Sequence, residues 1–310
     1  FSMDEKIKAM RKVLLTGSSG FLGKYLLKAC EEFGFSAVSV GRSSANQVAC
    51  DLKKEVPKIP KEEFEKVIFA AGKAHIVPKT EGEKQDFFDV NVTGLKHFLE
   101  GLQGAKVNQF VFISTVSVYG LWNGNNISES DPLLSEEPYG KSKIEAEELV
   151  TLWGKEHGVP IIVFRIPLLA GANPPGNLGE MIAAITKNRY PRLGKGSARK
   201  SMVLAEDVAQ FCLQLSGQES GIFNLTDQHH PSFFEIEMHL RKQLNKPNAL
   251  VIPTFVARLL ALCGDFLPKF PMDSHRYKKM TLDLTFDSRK ATLELGWKPR
   301  RVIDVDFLRK

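Results

Sequence analysis

Cysteine is scarce in this sequence. The four copies, Cys30, Cys50, Cys212 and Cys263, stand too far apart for a metal-ligand or redox pair. They read as small buried apolar side chains in a reducing compartment, which predicts a cytoplasmic protein. Long apolar runs are also lacking. The longest, Phe255 to Leu267, is broken by Arg258, Gly264 and Asp265 and is too short to span a bilayer. Stable membrane insertion is therefore not expected, and the run reads as an amphipathic helix, with a membrane-surface or subunit contact as the alternative. The first strand-like run, Val13 to Leu15, is too short for the apolar region of a signal peptide. Phe1-Ser2 ahead of Met3 reads as a cloning remnant. There is no internal repeat, low-complexity segment or long run of like charge. The basic excess is modest, 42 Lys and Arg against 36 Asp and Glu, and scattered in pairs such as Lys53-Lys54, Arg199-Lys200, Lys278-Lys279 and Arg300-Arg301. No nucleic-acid motif accompanies it, so nucleic acid is not an expected partner, and an anionic small molecule suits the balance better.

What is present is the composition of an ordinary globular protein, 43% hydrophobic and 25% charged over 310 residues. The first half alternates apolar runs with helical patterns. Val13-Leu15, Ala37-Val40, Val67-Ala70, Phe110-Ile113 and Ile161-Phe164 read as strands. Phe21 to Phe33, about Gln85 to Leu102, and Tyr139 to Glu156 read as helices between them. Unbroken apolar strands between helices predict a parallel sheet covered on both faces. The texture changes after Arg165, where Pro167, Pro174, Pro175, Gly176 and Gly179 mark an irregular connection. Helices are expected at Leu178 to Lys187 and Glu206 to Leu215, and a strand at Ile222-Leu225 returning to the sheet. Residues from about Ser232 read as mostly helical and end in a Trp297-Lys298-Pro299 turn.

Thr16-Gly17-Ser18-Ser19-Gly20-Phe21-Leu22-Gly23 follows the first strand and opens the first helix. In that context Gly17 allows a tight turn, Gly20 lets the backbone approach a pyrophosphate, and Gly23 lets the helix pack on the strand. The free N–H groups and dipole of the helix favour the phosphates. The second strand is followed by Gly41-Arg42-Ser43-Ser44, with no carboxylate to bond a ribose 2′-hydroxyl. Arg42 suits a 2′-phosphate, so NADP(H) is favoured and NAD(H) is the alternative. Asp51-Leu52 follows a short third strand, where a carboxylate can meet the adenine amino group.

Tyr139 and Lys143 are four residues apart at the start of a helix, on one face. A nearby ammonium favours tyrosinate, which lowers the phenol's pKa and suits it to exchange a proton with a carbonyl or alcohol oxygen. The lysine can also hold the cofactor's ribose hydroxyls. The strand Phe112-Ile113-Ser114-Thr115 runs into Val116-Ser117-Val118-Tyr119-Gly120, and Thr115 can bond the same reacting oxygen from the strand's C-terminal end.

These residues resemble the extended short-chain dehydrogenase/reductase family, of the NAD-dependent epimerase/dehydratase type. The resemblance runs along almost the whole chain. It comprises the glycine loop at 16–23, Asp51-Leu52, Ala70-Ala71-Gly72, Asn91-Val92-x-Gly94, Ser114-Thr115 with Val118-Tyr119-Gly120, Tyr139 with Lys143, and Arg165-x-Pro167. It implies an α/β Rossmann fold, a doubly wound parallel sheet with a smaller, mostly helical C-terminal substrate lobe. The cofactor domain would span 11–166, completed by about 202–226, and the lobe 167–201 and 227–310. It implies that Thr115, Tyr139 and Lys143 are catalytic. Ala70, Ala71, Gly72, Ser114 and Pro167 would line the cofactor with Ser19, Phe21 and Leu22 of the loop. Ser117 and Thr115 would meet the substrate, and Asn177 with Arg199 or Lys200 would hold the diphosphate of a nucleotide-linked sugar. A homodimer is compatible with the pattern and not specified by it.

Two departures narrow the activity. The family's dehydratases carry an Asp-Glu pair just after the threonine, where this chain has Val116 and Ser117. Its 4-epimerases usually carry an acidic residue after the second strand, where this chain has Arg42. The segment from Leu284 to Pro299 is similar to that of bacterial surface-polysaccharide members. The leading expectation is therefore hydride transfer between NADP(H) and C4 of a nucleotide-linked, UDP-type sugar in polysaccharide precursor synthesis. The alternatives are a UDP-hexose 4-epimerase with retained NAD, an NADP-binding redox sensor without turnover, and a hydroxysteroid- or flavonoid-type reductase.

Overall fold

The computed structural model describes residues 11–74, 77–266 and 272–308. Seven strands make its main sheet: β1 (Arg11–Thr16), β2 (Phe35–Gly41), β3 (Val48–Ala49), β4 (Lys66–Phe69), β5 (Phe110–Thr115), β6 (Ile161–Ile166) and β7 (Gly221–Asn224). Their order is β7-β6-β5-β4-β1-β2-β3, and every neighbouring pair is parallel. The chain therefore winds outward from β1 through β2 to β3, then crosses back to β4 on the other side of β1. That reversal opens a crevice at the carboxyl ends of β1 and β4.

The central stretches of the strands are apolar because both faces are covered. Val13, Leu15, Ile68, Val111, Ile162 and Phe164 point into one core, with helices α1 (Phe21–Glu32) and α6 (Ala205–Gln214). Leu14, Val67, Phe69, Phe110, Phe112 and Val163 alternate into a second core, with α3 (Gly94–Gly101) and α4 (Pro138–His157). Between them in the chain lie α2 (Glu81–Phe88) and, ahead of α6, α5 (Gly176–Thr186).

The helix expected from Gln85 to Leu102 is interrupted. α2 is capped by Thr80, whose hydroxyl accepts the Glu83 N–H at 3.2 Å. A five-residue π-helical turn, Asp89–Thr93, then separates α2 from α3. The wide turn buries Asn91 while leaving Leu95, Phe98 and Leu99 aimed at the sheet. Apolar periodicity does not register one inserted residue.

After β6, Leu168–Ala170 pairs in parallel with Met202–Leu204. Met202 and Leu204 enter a third core with Leu178, Met181, Ile185, Ile236 and Leu240, while Val203 between them packs into the first. α7 (Phe233–Gln243) carries Ile236 and Leu240 and begins with a capping box of Ser232 and Glu235. α8 (Thr254–Phe266), α9 (Ser274–Thr281) and α10 (Arg289–Leu295) follow. Leu267, the end of the apolar run noted in the sequence, lies outside the described residues. Trp297 anchors the C-terminal part: it is buried, its ring stands 4.7 Å from Phe211, and its Nε1–H donates to the Thr226 carbonyl at 2.9 Å. No helix among the described residues is long and apolar enough to cross a membrane.

Candidate active site

The crevice between β1 and β4 is lined by backbone because side chains there have no room. Gly17 sits at φ +73°, and a Cβ on it would come within 2.7 Å of the Ala70 carbonyl and the Ala71 nitrogen. A Cβ on Gly23 would lie 2.0 Å from the Gly17 carbonyl oxygen. The Thr16 hydroxyl accepts the N–H groups of Ala70 and Ala71, both at 3.1 Å, and so locks the two strand ends together. Gly20 starts α1 with no side-chain cap, leaving first-turn N–H groups of the helix without a side-chain acceptor. Ser19 and Gly20 are exposed at the tip, and Leu22 is buried in the first core. Phe21 packs edge-on against Tyr25 at 5.5 Å, and the Tyr25 hydroxyl accepts the Ala172 N–H at 2.7 Å. Open N–H groups on a glycine-lined helix start fit an anionic diphosphate, the group by which a dinucleotide is held.

At the outer end of this crevice Arg42 is exposed, and no ion-pair partner of its guanidinium is found among the described residues. The loop is instead organised by Asn46, whose Oδ1 accepts the Ser18 hydroxyl at 2.9 Å. Asp51 accepts the Lys53 N–H at 3.3 Å and pairs with Lys54 at 3.7 Å, while the Leu52 carbonyl meets His97 Nδ1 at 2.7 Å. On the inner side, Gly72 leaves space for Asn91, whose Oδ1 accepts the Lys73 N–H at 2.8 Å. The Asn91 amide donates to the Ser142 hydroxyl at 2.9 Å, and Ser142 donates to the Tyr139 carbonyl at 2.8 Å. The π turn thus connects the end of β4 to the start of α4.

Thr115 ends β5, 8% exposed, and its Oγ1 accepts the Ser117 N–H at 3.1 Å. α4 begins with Pro138 in its first turn, which places half-buried Tyr139 beside this strand end. Gly140 is needed there, because a Cβ would strike Ser135 Oγ at 1.9 Å and the Ser117 carbonyl oxygen at 2.8 Å. Lys143, one turn on, is buried; its Nζ donates to the Ile113 carbonyl at 2.7 Å and lies 4.1 Å from the centre of the Phe112 ring. Burial brings the Lys143 ammonium down to about 7, opposed by the charge of Glu147. Tyr139 behaves oppositely to the sequence expectation. Burial pushes its phenol up, and only the Thr115 hydroxyl acts to lower it. A lysine held near neutrality supplies little field to depress its neighbour.

Sequence reading missed Glu147. It follows Lys143 by four residues on the same face of α4 and is 3% exposed. It accepts the Ser114 hydroxyl and pairs with buried Arg165, with Nη2 to Oε2 at 2.7 Å and Nε to both oxygens at 3.2 Å. Arg165 continues to the Tyr119 hydroxyl at 3.1 Å, and Tyr119 donates to Asn224 Oδ1 at 2.8 Å. The hydroxyl of Ser114 is thus committed inward to Glu147 rather than to the crevice. The spacing Tyr139-x3-Lys143-x3-Glu147 was the available signal.

Residues 13–225 match the model of the family described as NAD dependent epimerase/dehydratase. The chain belongs to that family. Among its relatives is the N-acetyl-alpha-D-glucosaminyl-diphospho-ditrans,octacis-undecaprenol 4-epimerase of Escherichia coli O157:H7, 26% identical over 90% of this chain and 88% of that protein. The UDP-glucose 4-epimerase of Vibrio cholerae is 24% identical over 97% of this chain and 94% of its own length. A crystal structure of a UDP-glucose 4-epimerase aligns over 96% of both chains with a TM-score of 0.74 and 21% identity. MoeE5 in complex with UDP-glucose and NAD aligns over 94% of both with a TM-score of 0.71 and 19% identity. The fold expected from the sequence is therefore the one found.

The residues expected to hold a substrate diphosphate are less uniform. Asn177 is exposed on the first turn of α5, and Pro167 is half-buried directly after β6. The Arg199 guanidinium is already engaged, with the His230 carbonyl at 3.0 Å and Glu235 at 3.8 Å. Lys200 is half-buried, and burial lowers its ammonium to about 8, with the charge of Asp283 opposing and that of Lys279 adding.

Proposed function

We propose that the chain is a nucleotide-sugar 4-epimerase. The observation that carries this reading is the placement of Thr115, Tyr139 and Lys143 at one strand end with Val116 and Ser117 where an eliminating acid and base would stand. Such a site has the groups for C4 oxidation and reduction and none for expelling water. The relatives named as 4-epimerases support the same reaction. The nicotinamide dinucleotide, when bound, supplies a hydride acceptor and donor. It would be held by the backbone of Gly17, Ser19, Gly20, Phe21 and Leu22, by Ala70 to Gly72, and by Lys143. With the positive charge of an oxidised nicotinamide, when bound, favouring its phenolate against burial, Tyr139 would take the proton of the C4 hydroxyl as the carbon is oxidised and return it on reduction of the opposite face. Thr115 Oγ1 holds that oxygen beside the phenol. The substrate lobe would be 167–201 and 227–310, much of it packed on the third core, with Lys200 and Asn177 toward the diphosphate, and Ser117 of the cofactor domain would face the sugar.

A second reading, reduction of a 4-keto sugar by NADPH, is favoured by one observation. Arg42 is exposed where an NAD-preferring site would place a carboxylate. The two readings separate by proton NMR in deuterated water with UDP-glucose or UDP-N-acetylglucosamine. Epimerisation inverts C4 without deuterium entering that carbon. If only a separately supplied 4-keto sugar is consumed, with equimolar loss of NADPH, the reductase reading stands and the epimerase reading falls.

A further inference from the structure

α8 presents its apolar side chains the wrong way round for a helix serving its own fold. Phe255, Leu259, Leu262 and Phe266 follow the spacing i, i+4, i+7, i+11, which places them on one narrow stripe. That stripe faces out: the four are 69%, 59%, 48% and 84% exposed. The residues α8 buries are small, Ala257 and Ala261, on the opposite side. Leu250 and Val251, just ahead of the helix, are exposed as well.

The neighbour of this stripe is basic. α9 packs on α8, and the Ser274 N–H donates to Asp265 at 2.9 Å where the two meet. α9 buries none of its residues and carries Arg276, Lys278 and Lys279, with Lys278 and Lys279 exposed. Arg258 is exposed on α8 itself. The carboxylates within the pair, Asp265 and Asp273, both accept backbone N–H groups of α9, and Asp273 also pairs with Arg276 at 3.9 Å, which leaves Lys278, Lys279 and Arg258 as the cations of this face. An apolar stripe flanked by ammonium and guanidinium groups is complementary to an anionic lipid surface, where acyl chains receive the first and headgroups the second. A second copy of this chain suits it less. A helix of this length offers a stripe about 20 Å long and about 10 Å wide, roughly a quarter of the ~800 Å² per partner of a stable interface. A two-fold contact there would also bring the cations of both copies together.

We propose that α8 and α9 form a docking face for the surface of an anionic bilayer. The face adjoins the catalytic segment. Trp122, just beyond Gly120, stacks edge-on against His275 of α9 at 4.4 Å, and Lys279 lies 5.1 Å from the Trp122 ring. The charge of Lys279 also reaches Lys200. Docking would hold the proposed diphosphate site next to lipid, the position suited to a sugar diphosphate carried on a lipid. That consequence rests on the proposed function; the docking itself does not.

The test is co-sedimentation of the full chain with vesicles of phosphatidylglycerol and phosphatidylcholine, and with phosphatidylcholine alone. Binding is expected to the anionic vesicles, weakened at least tenfold by the combined Phe255→Ser, Leu259→Ser, Leu262→Ser and Phe266→Ser variant. Its thermal midpoint should be unchanged, since the replaced side chains are exposed. Lys278→Glu with Lys279→Glu should remove the preference for anionic lipid. If the native chain stays in the supernatant with anionic vesicles, or the serine variant binds as well as the native chain, the proposal is overturned. A lipid-free dimer split by the serine variant, without vesicle binding, would assign the face to a second copy and also overturn it. Turnover of a soluble UDP-sugar without lipid reports on the epimerase reading separately.

Discussion

The carboxylate of Glu147 meets the guanidinium of Arg165 at 2.7 Å, with both side chains no more than 4% exposed. The pair joins α4 to β6 one helical turn beyond Lys143. Removing one member leaves the other as an uncompensated buried charge, which costs about 3–5 kcal/mol. Glu147→Ala is expected to lose stability of that order in urea unfolding. Glu147→Gln should lose less, because its amide oxygen still accepts hydrogen bonds.

Lys143 makes stability depend on pH with a definite sign. Its folded value is near 7 and its ordinary value 10.5, so between these the unfolded chain binds a proton that the folded chain does not. Stability from this group therefore rises with pH across that window, at about 1.4 kcal/mol per pH unit at most. Below the folded value the buried charge is a constant burden, and above the ordinary value the contribution is complete. Comparing the native chain with Lys143→Met from pH 7 to 10 isolates the effect. The difference should move in favour of the native chain as pH rises, and a flat difference would show that Lys143 is not held near neutrality.

The parallel sheet and the glycine cradle were readable in the sequence because both are local. Unbroken apolar runs such as Phe110-Val111-Phe112, short and alternating with helical patterns, fit strands covered on both faces. Gly17 and Gly23 are fixed by contacts within a few residues and with one neighbouring strand. The Glu147–Arg165 pair was harder to read: the spacing from Lys143 marks the helix face of Glu147, but Glu145 and Glu148 beside it are solvated, and nothing local names Arg165 as its partner. The π turn at Asn91 was hidden because one extra residue leaves the apolar spacing almost intact. The outward stripe on α8 was hidden for the opposite reason: amphipathic spacing shows that a helix has two faces, not which one the fold covers.

Arg42 bears on cofactor choice. On the NADP(H) reading its guanidinium, without an ion-pair partner among the described residues, would meet the 2′-phosphate, and such charge-assisted bonds contribute about 1.5–3 kcal/mol. Arg42→Ala is expected to weaken NADP(H) binding by roughly tenfold or more, while leaving NAD(H) nearly unchanged. Titration of both cofactors by calorimetry checks this. Equal losses for the two would show that the arginine does not read the phosphate.

Gly23 tests the cradle itself. A methyl group there has to displace the Gly17 carbonyl, which turns the loop proposed to hold the phosphates. Gly23→Ala is expected to abolish dinucleotide binding while costing about 1–3 kcal/mol of stability, the usual range for overpacking. Thermal unfolding and cofactor titration on the same sample separate the two effects.

In the proposed function the chemistry rests on the Tyr139 phenol. The most direct measurement is C4 epimerisation of UDP-glucose or UDP-N-acetylglucosamine, with cofactor supplied, by the native chain and by Tyr139→Phe. Loss of the hydroxyl should lower kcat by roughly 10²–10⁴-fold with cofactor affinity nearly intact, since only the proton transfer is removed. A Tyr139→Phe protein that inverts C4 at the native rate would contradict the assignment.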